Sequence, residues 1–275
     1  IIPIRANYMA LRNEKGTVVG GLTMFHDLTL VLQLKQAMKD RYTFHDMIGK
    51  SPEMQKVFET VSVVAGTDAT VLIEGPTGTG KDVLAKVIHN ASQRSKKSLV
   101  KVNCAALPDN LLESEMFGYV KGAFTGADHD RTGYLEQTNK GTLFLDEIGI
   151  LPLELQGKLL RVLQNGEYMK LGTSLPRRTD VRIIGATNED LPALAEAGRF
   201  RADLLDRLAF DVITLPALRD RQDDILRLAD HFAVKMSGEL GRALFAGFTE
   251  EAREELLGYP WPGNVRELKN VVERA

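Results

Sequence analysis

The stretch Gly75-Pro76-Thr77-Gly78-Thr79-Gly80-Lys81-Asp82 constrains this chain more than any other. It follows the short apolar run ATVLIE, residues 69–74, and opens a helical pattern that runs to Asn90. A strand that ends in a glycine-rich turn and feeds a helix is the setting of a phosphate-binding P-loop. The glycines let successive backbone N–H groups converge on an anion, and the helix N-terminus adds favourable partial charge. Lys81 is placed to reach the outer phosphates of a nucleotide. Asp82 departs from the general pattern, in which a Ser or Thr hydroxyl binds Mg²⁺. A carboxylate there acts on the metal through water or leaves it to other ligands. A glycine-rich turn without any ligand is the alternative, and strand, lysine and helix together count against it.

The rest of the sequence agrees with an α/β layer. Residues 98–103, 141–146, 181–186 and 211–215 are further short apolar runs that predict strands. Between them lie helical patterns: Ser51 as a cap with Pro52 at the first position and a run to Val64, then residues 107–117 and 156–164. Strands alternating with helices indicate a mostly parallel sheet with helices on both faces. After Pro216 the strands stop. Residues 223–238, 249–257 and 264 to the end are helical in pattern and predict a small all-helical subdomain. Ahead of the α/β part, residues 4–11 and 18–25 flank the polar turn RNEKGT and predict a hairpin. Two strands alone are marginal in water, so a larger sheet is expected upstream. From Leu28 an apolar stripe predicts a helix with Asp27 as its cap, either a linker between modules or a surface helix packed on its own domain.

Composition narrows the setting. The net charge of -2 neither demands nor excludes a nucleic-acid partner. A single cysteine, Cys104, rules out an internal disulfide and a multi-cysteine metal site, and points to a reducing compartment, the cytoplasm. No apolar run approaches the roughly 20 residues a membrane span needs, so no membrane role is expected. There is no signal-peptide pattern at the start. The chain opens without a methionine and ends inside a helical pattern, which reads as a piece of a longer protein.

Two further stretches carry chemistry. Leu143-Phe144-Leu145-Asp146-Glu147 puts two carboxylates at the end of a buried strand. Ionised groups are costly there without a partner, and a metal and a water are suitable ones. Asp146 would hold Mg²⁺ and Glu147 would polarise the attacking water. A solvated helix start is the other reading of such a pair, and the P-loop upstream favours hydrolysis. The second stretch is VKGAFTGAD, residues 120–128, in which Phe124 stands among Gly122, Ala123, Thr125, Gly126 and Ala127. Nothing local buries this ring. Either an irregular loop brings it to the core or it is offered to a partner.

The stretches GPTGTGKD, VNCAAL, ESEMFGYVKGAFTGA, GTLFLDEI, VRIIGATN, FRADLLDRL and WPGNVRELKN together resemble the AAA+ activators of sigma-54 RNA polymerase, the bacterial enhancer-binding proteins. The likeness runs from about Ile48 to Arg274, and GAFTGA ahead of the Asp-Glu pair is its most specific part. An acidic residue, normally Glu, is usual in that family where Asp82 stands. The resemblance implies an ATPase with ATP and Mg²⁺ as cofactors, and a P-loop AAA+ parallel sheet followed by a helical lid. It implies an Asn103–Glu147 switch that senses the outer phosphate, with a turn asparagine as the alternative for Asn103. It also implies Asn188 as sensor I, and Arg201 and Arg207 as arginine fingers reaching a neighbouring subunit's ATP. Arg266 is implied as sensor II, with Asn264 capping its helix and Glu267 completing a capping box. Ile48 and Gly49 would lie beside the adenine, and residues 122–127 would engage sigma-54. The implied assembly is a hexameric ring, with a dimer as the alternative for the off state. DNA would be bound only through a further C-terminal domain. The segment VVGGLTMFHDLT resembles the last strand of a PAS domain. The expected division is 1–27 for the PAS-like fragment, 28–45 for the linker helix, 46–217 for the α/β subdomain and 218–275 for the lid. A different AAA+ remodeller, or a nucleotide-dependent binding module with incidental turnover, are the competing readings.

Overall fold

The computed structural model describes residues 4–12, 16, 18–27, 43–44, 47–241 and 245–275. The chain divides into two compact units, residues 1–44 and 45–275. In the first unit β1 (Ile4–Arg12) pairs antiparallel with β2 (Val18–Asp27), in register from Ile4 opposite Asp27 to Ala10 opposite Gly21. The predicted hairpin is therefore present. Of the predicted linker helix, residues 28–45, positions 28–42 and 45 lie outside the described residues, and Thr43–Phe44 is a short strand rather than part of a helix.

The second unit begins with α1 (Pro52–Val64), whose cap Ser51 accepts the Met54 N–H on its side-chain oxygen at 3.4 Å. There follow β3 (Val71–Glu74), α2 (Lys81–Asn90), β4 (Leu99–Asn103), α3 (Asp109–Phe117) and the short α4 (Tyr134–Gln137). Next come β5 (Thr142–Asp146), α5 (Leu153–Asn165), the two-residue strands β6 (Glu167–Tyr168) and β7 (Arg177–Arg178), and β8 (Arg182–Thr187). Helices α6 (Leu191–Glu196) and α7 (Ala202–Leu208) lead to β9 (Asp211–Thr214). The lid is α8 (Gln222–Glu239), α9 (Glu250–Gly258) and α10 (Asn264–Arg274).

The five-stranded sheet has the order β9-β3-β8-β5-β4, and every pairing in it is parallel. Val71, Leu72 and Ile73 are wholly buried, as are Leu143 and Leu145 on β5. Burying each such side chain contributes about 1.5–3 kcal/mol, which explains why runs of only four or five residues hold as strands. A parallel strand covered on both faces has no polar side to show, so its sequence is continuous rather than alternating. Ligands in such sheets bind beyond the carboxyl ends of the strands, where neighbouring connections diverge. Here those ends belong to β3, β8 and β5, and they deliver Gly75, Asn188 and Asp146-Glu147 to one edge.

Some boundaries differ from the sequence reading for visible reasons. The β3 strand starts at Val71 rather than Ala69. The carbonyl of Ala69 instead accepts the buried Arg182 guanidinium at 3.2 Å, and Val64 accepts it at 2.9 Å. Helix α3 starts at Asp109, because Pro108 takes the cap position, and Cys104–Ala106 forms a separate tight turn. Helix α5 starts three residues earlier than predicted, directly after Pro152. The lid has its own core of Leu218, Ile225, Leu228, Leu256, Trp261 and Leu268, with the indole N–H of Trp261 donating to the Leu256 carbonyl at 2.8 Å.

Candidate nucleotide site and the loop at residues 118–131

The P-loop leaves β3 with Gly75 at φ +149°, Gly78 at +81° and Gly80 at +104°, values that side-chain-bearing residues rarely adopt. A Cβ on Gly78 would sit 2.3 Å from the Gly263 carbonyl oxygen, and one on Gly75 would sit 2.7 Å from that of Leu215. The loop is glycine-rich partly because other backbone passes against it. Lys81 opens α2 and is buried; its ammonium donates to the Gly75 carbonyl at 2.8 Å and the Pro76 carbonyl at 3.3 Å. Thr79 adds a hydroxyl bond to Pro76 at 2.9 Å.

Asp146 and Glu147 face this lysine from the end of β5. Burial pushes the Lys81 ammonium down, and Glu147 and Asp146 oppose the shift by their charge. Burial raises both carboxyls, and Lys81 is the largest influence holding each of them down. Arg266 also acts on all three groups. The Glu147 backbone is left-handed, φ 56°, and its N–H donates to the Asp146 carboxylate at 3.1 Å. A left-handed glutamate at a strand end stores backbone strain of the kind found at functional sites. Among the described residues no group of three His, Cys, Asp or Glu side chains forms a metal cluster. One half-buried aspartate beside a phosphate cradle suits Mg²⁺, which keeps waters and relies on phosphate oxygens. The donor set therefore fits a nucleotide with its metal.

The other residues singled out from sequence take varied places. Asn188 donates from its amide to the Thr77 hydroxyl at 3.1 Å. Arg266 reaches the loop through its backbone, donating N–H to the Gly78 carbonyl at 3.2 Å. Ile48 packs on the lid core, and the Gly49 carbonyl accepts the Gln55 amide at 2.8 Å. Asp82 is exposed, lies 3.6 Å from the Lys101 ammonium, and raises Asp146 by its charge. Asn103 stands opposite Asp146 in the sheet, yet its side-chain oxygen accepts the Ala105 N–H at 2.8 Å. No hydrogen bond joins it to Glu147 among the described residues. Arg201, at the cap of α7, makes a two-pronged pair with Asp203 at 3.0 and 2.8 Å, and Arg207 is exposed in the last turn of that helix. Neither is among the charges acting on Lys81, Asp146 or Glu147.

Asn264 corrects the sequence reading. It is not the cap of α10: Gly263 takes that position, and the Gly263 N–H donates to the Glu267 carboxylate at 2.8 Å. Asn264 is buried, left-handed at φ 53°, and its amide donates to the Thr77 carbonyl at 2.9 Å while its oxygen accepts the Leu218 N–H. Sequence reasoning also missed Arg221, which donates to the Thr79 carbonyl at 3.2 Å. It missed Glu189 as well, whose buried Oε2 has no hydrogen-bond partner among the described residues and whose charge raises Glu147. Neither stands in a motif with fixed spacing, so only the fold reveals them.

Residues 122–127 lie on a loop tied down at its base. Tyr119 and Arg131 exchange backbone hydrogen bonds at 3.2 and 2.9 Å, and Val120 donates to Leu171 at 3.1 Å. At the tip the Gly122 N–H donates to the Ala127 carbonyl at 2.8 Å, and Ala127 donates to Phe124 at 3.0 Å. Phe124 is 45 % exposed, and its edge meets the Tyr119 ring at a centroid distance of 4.9 Å. It is neither a core residue nor a free one. Thr125 is exposed beside it and Ala127 is buried.

Comparison with known proteins identifies relatives for most of this unit. The family described as the Sigma-54 interaction domain matches residues 47–214, and the AAA+ ATPase lid domain matches residues 219–275. The Psp operon transcriptional activator of Escherichia coli (strain K12) is 51% identical over 230 residues, which are 84% of this chain and 71% of that protein. The alginate biosynthesis transcriptional regulatory protein AlgB of Pseudomonas aeruginosa is 53% identical over 225 residues, 82% of this chain but only 50% of that protein. Among solved structures, NtrX from Brucella abortus in complex with ATP superposes with a TM-score of 0.78 at 33% identity, covering 89% of this chain and 53% of that one. Hsp104 shares the fold at a TM-score of 0.61 and 17% identity, covering 90% of this chain and 47% of that one. Among the described residues no helix is long and apolar enough to cross a membrane.

Proposed function

The chain belongs to the sigma-54 interaction domain family, and on that premise we propose that it hydrolyses ATP to ADP and phosphate and spends the cycle on remodelling sigma-54 RNA polymerase in a closed promoter complex. The observation that carries this reading is the meeting of Lys81, Asp146 and Glu147 in one partly desolvated charge group at the carboxyl ends of a parallel sheet, with the charge of the exposed Arg266 acting on all three. Bound ATP with Mg²⁺ supplies the phosphoanhydride bond and the charge neutralisation its cleavage needs. The chain does the rest. Backbone N–H groups of the P-loop and the Lys81 ammonium bind the phosphates, and Asp146 holds the metal. Glu147 orients a water and takes its proton; desolvation raises its basicity above that of a solvated carboxylate, while Lys81 keeps it charged. Asn188 positions the loop through Thr77, and Ile48 and Gly49 border the base. Asn103 leaves its turn to meet Glu147 when the outer phosphate is present. Asp82, engaged with Lys101, leaves the metal to Asp146 and water.

Arg201 at the cap of α7 and Arg207 in its last turn are exposed, which suits delivery to the ATP of a neighbouring subunit in a ring, in our reading a hexamer that a dimeric off state precedes. The Arg201–Asp203 pair is on the surface, where such pairs contribute little and exchange readily. The loop carrying Gly122, Ala123, Phe124, Thr125, Gly126 and Ala127 is the contact offered to sigma-54. DNA recognition belongs to a further domain, the segment up to residue 27 to a PAS-like sensor, and the working compartment to the cytoplasm.

The test is steady-state hydrolysis by the purified chain. Glu147→Gln should bind ATP with unchanged affinity and turn it over about 10²–10⁴-fold more slowly. Wild-type specific activity should rise with protein concentration, because fingers in trans need assembly. Normal turnover by Glu147→Gln, or a specific activity flat in concentration, would refute the assignment.

A further inference from the structure

We propose that the lid clamps the phosphate loop from its carbonyl side, with Asn264 and Arg221 as positioning residues that set the affinity for nucleotide. The inference rests on the nucleotide reading of the P-loop above.

Three consecutive P-loop carbonyls accept hydrogen bonds from the lid. The Thr77 carbonyl takes the Asn264 amide at 2.9 Å, the Gly78 carbonyl takes the Arg266 N–H at 3.2 Å, and the Thr79 carbonyl takes the Arg221 guanidinium at 3.2 Å. The two preceding carbonyls, of Gly75 and Pro76, are held by Lys81. Every carbonyl from residue 75 to 79 is thus engaged. A trans peptide is planar, with its C=O and the following N–H pointing in opposite directions. Fixing the carbonyls of 77, 78 and 79 therefore fixes the N–H groups of Gly78, Thr79 and Gly80. Those of Gly78 and Gly80 have no acceptor of their own among the described residues, and that of Thr79 has only a long contact of 3.4 Å to Pro76. Three amides aimed away from the lid form an anion-binding concavity already organised before a phosphate arrives. A flexible glycine loop would otherwise lose conformational freedom on binding, and a pre-set one has already lost it.

Arg221 is an unusual choice for a purely structural strut. It is 2 % exposed; one terminal nitrogen reaches Thr79, the other the Met54 sulfur at 3.0 Å, and its Nε–H has no partner among the described residues. Burying a guanidinium with two uncharged acceptors is unfavourable, and the charge of Asp224 opposes that penalty without cancelling it. Stability alone does not account for it. Its neighbour on α8, Asp224, is fully buried and accepts the Lys50 N–H, the Ser51 N–H and the Ser51 hydroxyl. The first turn of one lid helix thereby holds both the P-loop and the segment after Ile48 and Gly49.

The experiment is a titration of the full chain with N-methylanthraniloyl-ATP, alongside KM, kcat and the melting temperature without nucleotide. Arg221→Met takes away the positive charge that the buried Asp224 faces, so it should melt lower than wild type, and the folded protein should bind about tenfold more weakly. KM should rise in step while kcat changes less than threefold. Arg221→Lys, which keeps one donor, should recover to within threefold. Asn264→Asp keeps the oxygen for Leu218 and loses the donor to Thr77, so it should also weaken binding about tenfold; it carries the test if Arg221→Met fails to fold. Affinity within twofold of wild type in the folded variants would overturn the clamp. A wild-type chain that binds no nucleotide would instead overturn the reading on which the clamp rests.

Discussion

Two glycine-rich loops of this chain, residues 75–80 and 122–127, use the same amino acid for different physical ends. In the first, Gly78 and Gly75 have backbone oxygens of other segments 2.3 and 2.7 Å from where a Cβ would stand. In the second, Gly122 and Gly126 have nothing within 4 Å, and only their φ values of +81° and +96° ask for glycine. Gly80 is the one P-loop glycine that resembles them. One loop is closed in by the lid and holds its amides still. The other is fastened at Tyr119 and Val120, and its tip is held only by local contacts: four backbone turn bonds, the Lys121 N–H on the Asp130 carboxylate and one aromatic edge contact. Such a contact is worth about 0.5–1.5 kcal/mol beyond its buried area, little enough for a partner's surface to replace. A rigid loop suits binding a small anion repeatedly; a lightly held one suits rising to meet a protein.

The contrast can be broken by substitution. Gly78→Ala should have the largest effect, because the new Cβ drives Gly263 and the lid away. Affinity for N-methylanthraniloyl-ATP should fall more than about 10²-fold, and the melting temperature should drop by several degrees. Retained affinity would mean that the lid does not shape the loop.

The charge group at the nucleotide site gives an intermediate effect. The folded pKa of Asp146 is raised above its unfolded value. The folded state then binds more protons through the window from the unfolded to the folded pKa, so stability falls as pH rises through it. Asp146→Asn removes that cost and should melt higher than wild type at pH 7. The difference should close as pH falls below about 4, where both states hold the proton. An Asn variant less stable at pH 7 would show that the lysine outweighs desolvation.

Gly126→Ala should have the smallest effect. It meets only the left-handed backbone penalty of about 1–2 kcal/mol, with ATPase activity within twofold of wild type. A large loss of hydrolysis would mean that this loop is coupled to the site in the resting fold.

Much of the base of the fold was legible. Runs such as Val71-Leu72-Ile73 and Leu143-Phe144-Leu145 declare buried strands because apolar residues on both faces have no other place to go. The P-loop and the Asp146-Glu147 pair were legible because their chemistry depends on local spacing. The lid contacts were not. Arg221 meets Thr79 across 142 positions and Asn264 meets Thr77 across 187, and no periodicity carries information over such separations. Asn264 also satisfied a local rule, the helix cap, that the tertiary contact overrode. For Phe124 the sequence offered core or partner, and the fold supplies a third place, on Tyr119. The bridge from Tyr119 to Arg131 and Leu171 that creates this place joins segments with no strand pattern.

In the proposed cycle the loop at 122–127 hands the state of the nucleotide site to sigma-54. The most direct measurement is binding of sigma-54 RNA polymerase to the full chain trapped with ADP and aluminium fluoride, comparing wild type with Thr125→Ala. Wild type should bind, and Thr125→Ala should lose at least about tenfold in affinity while hydrolysing ATP within twofold of wild type. Equal binding by a Thr125→Ala chain of normal activity would contradict it.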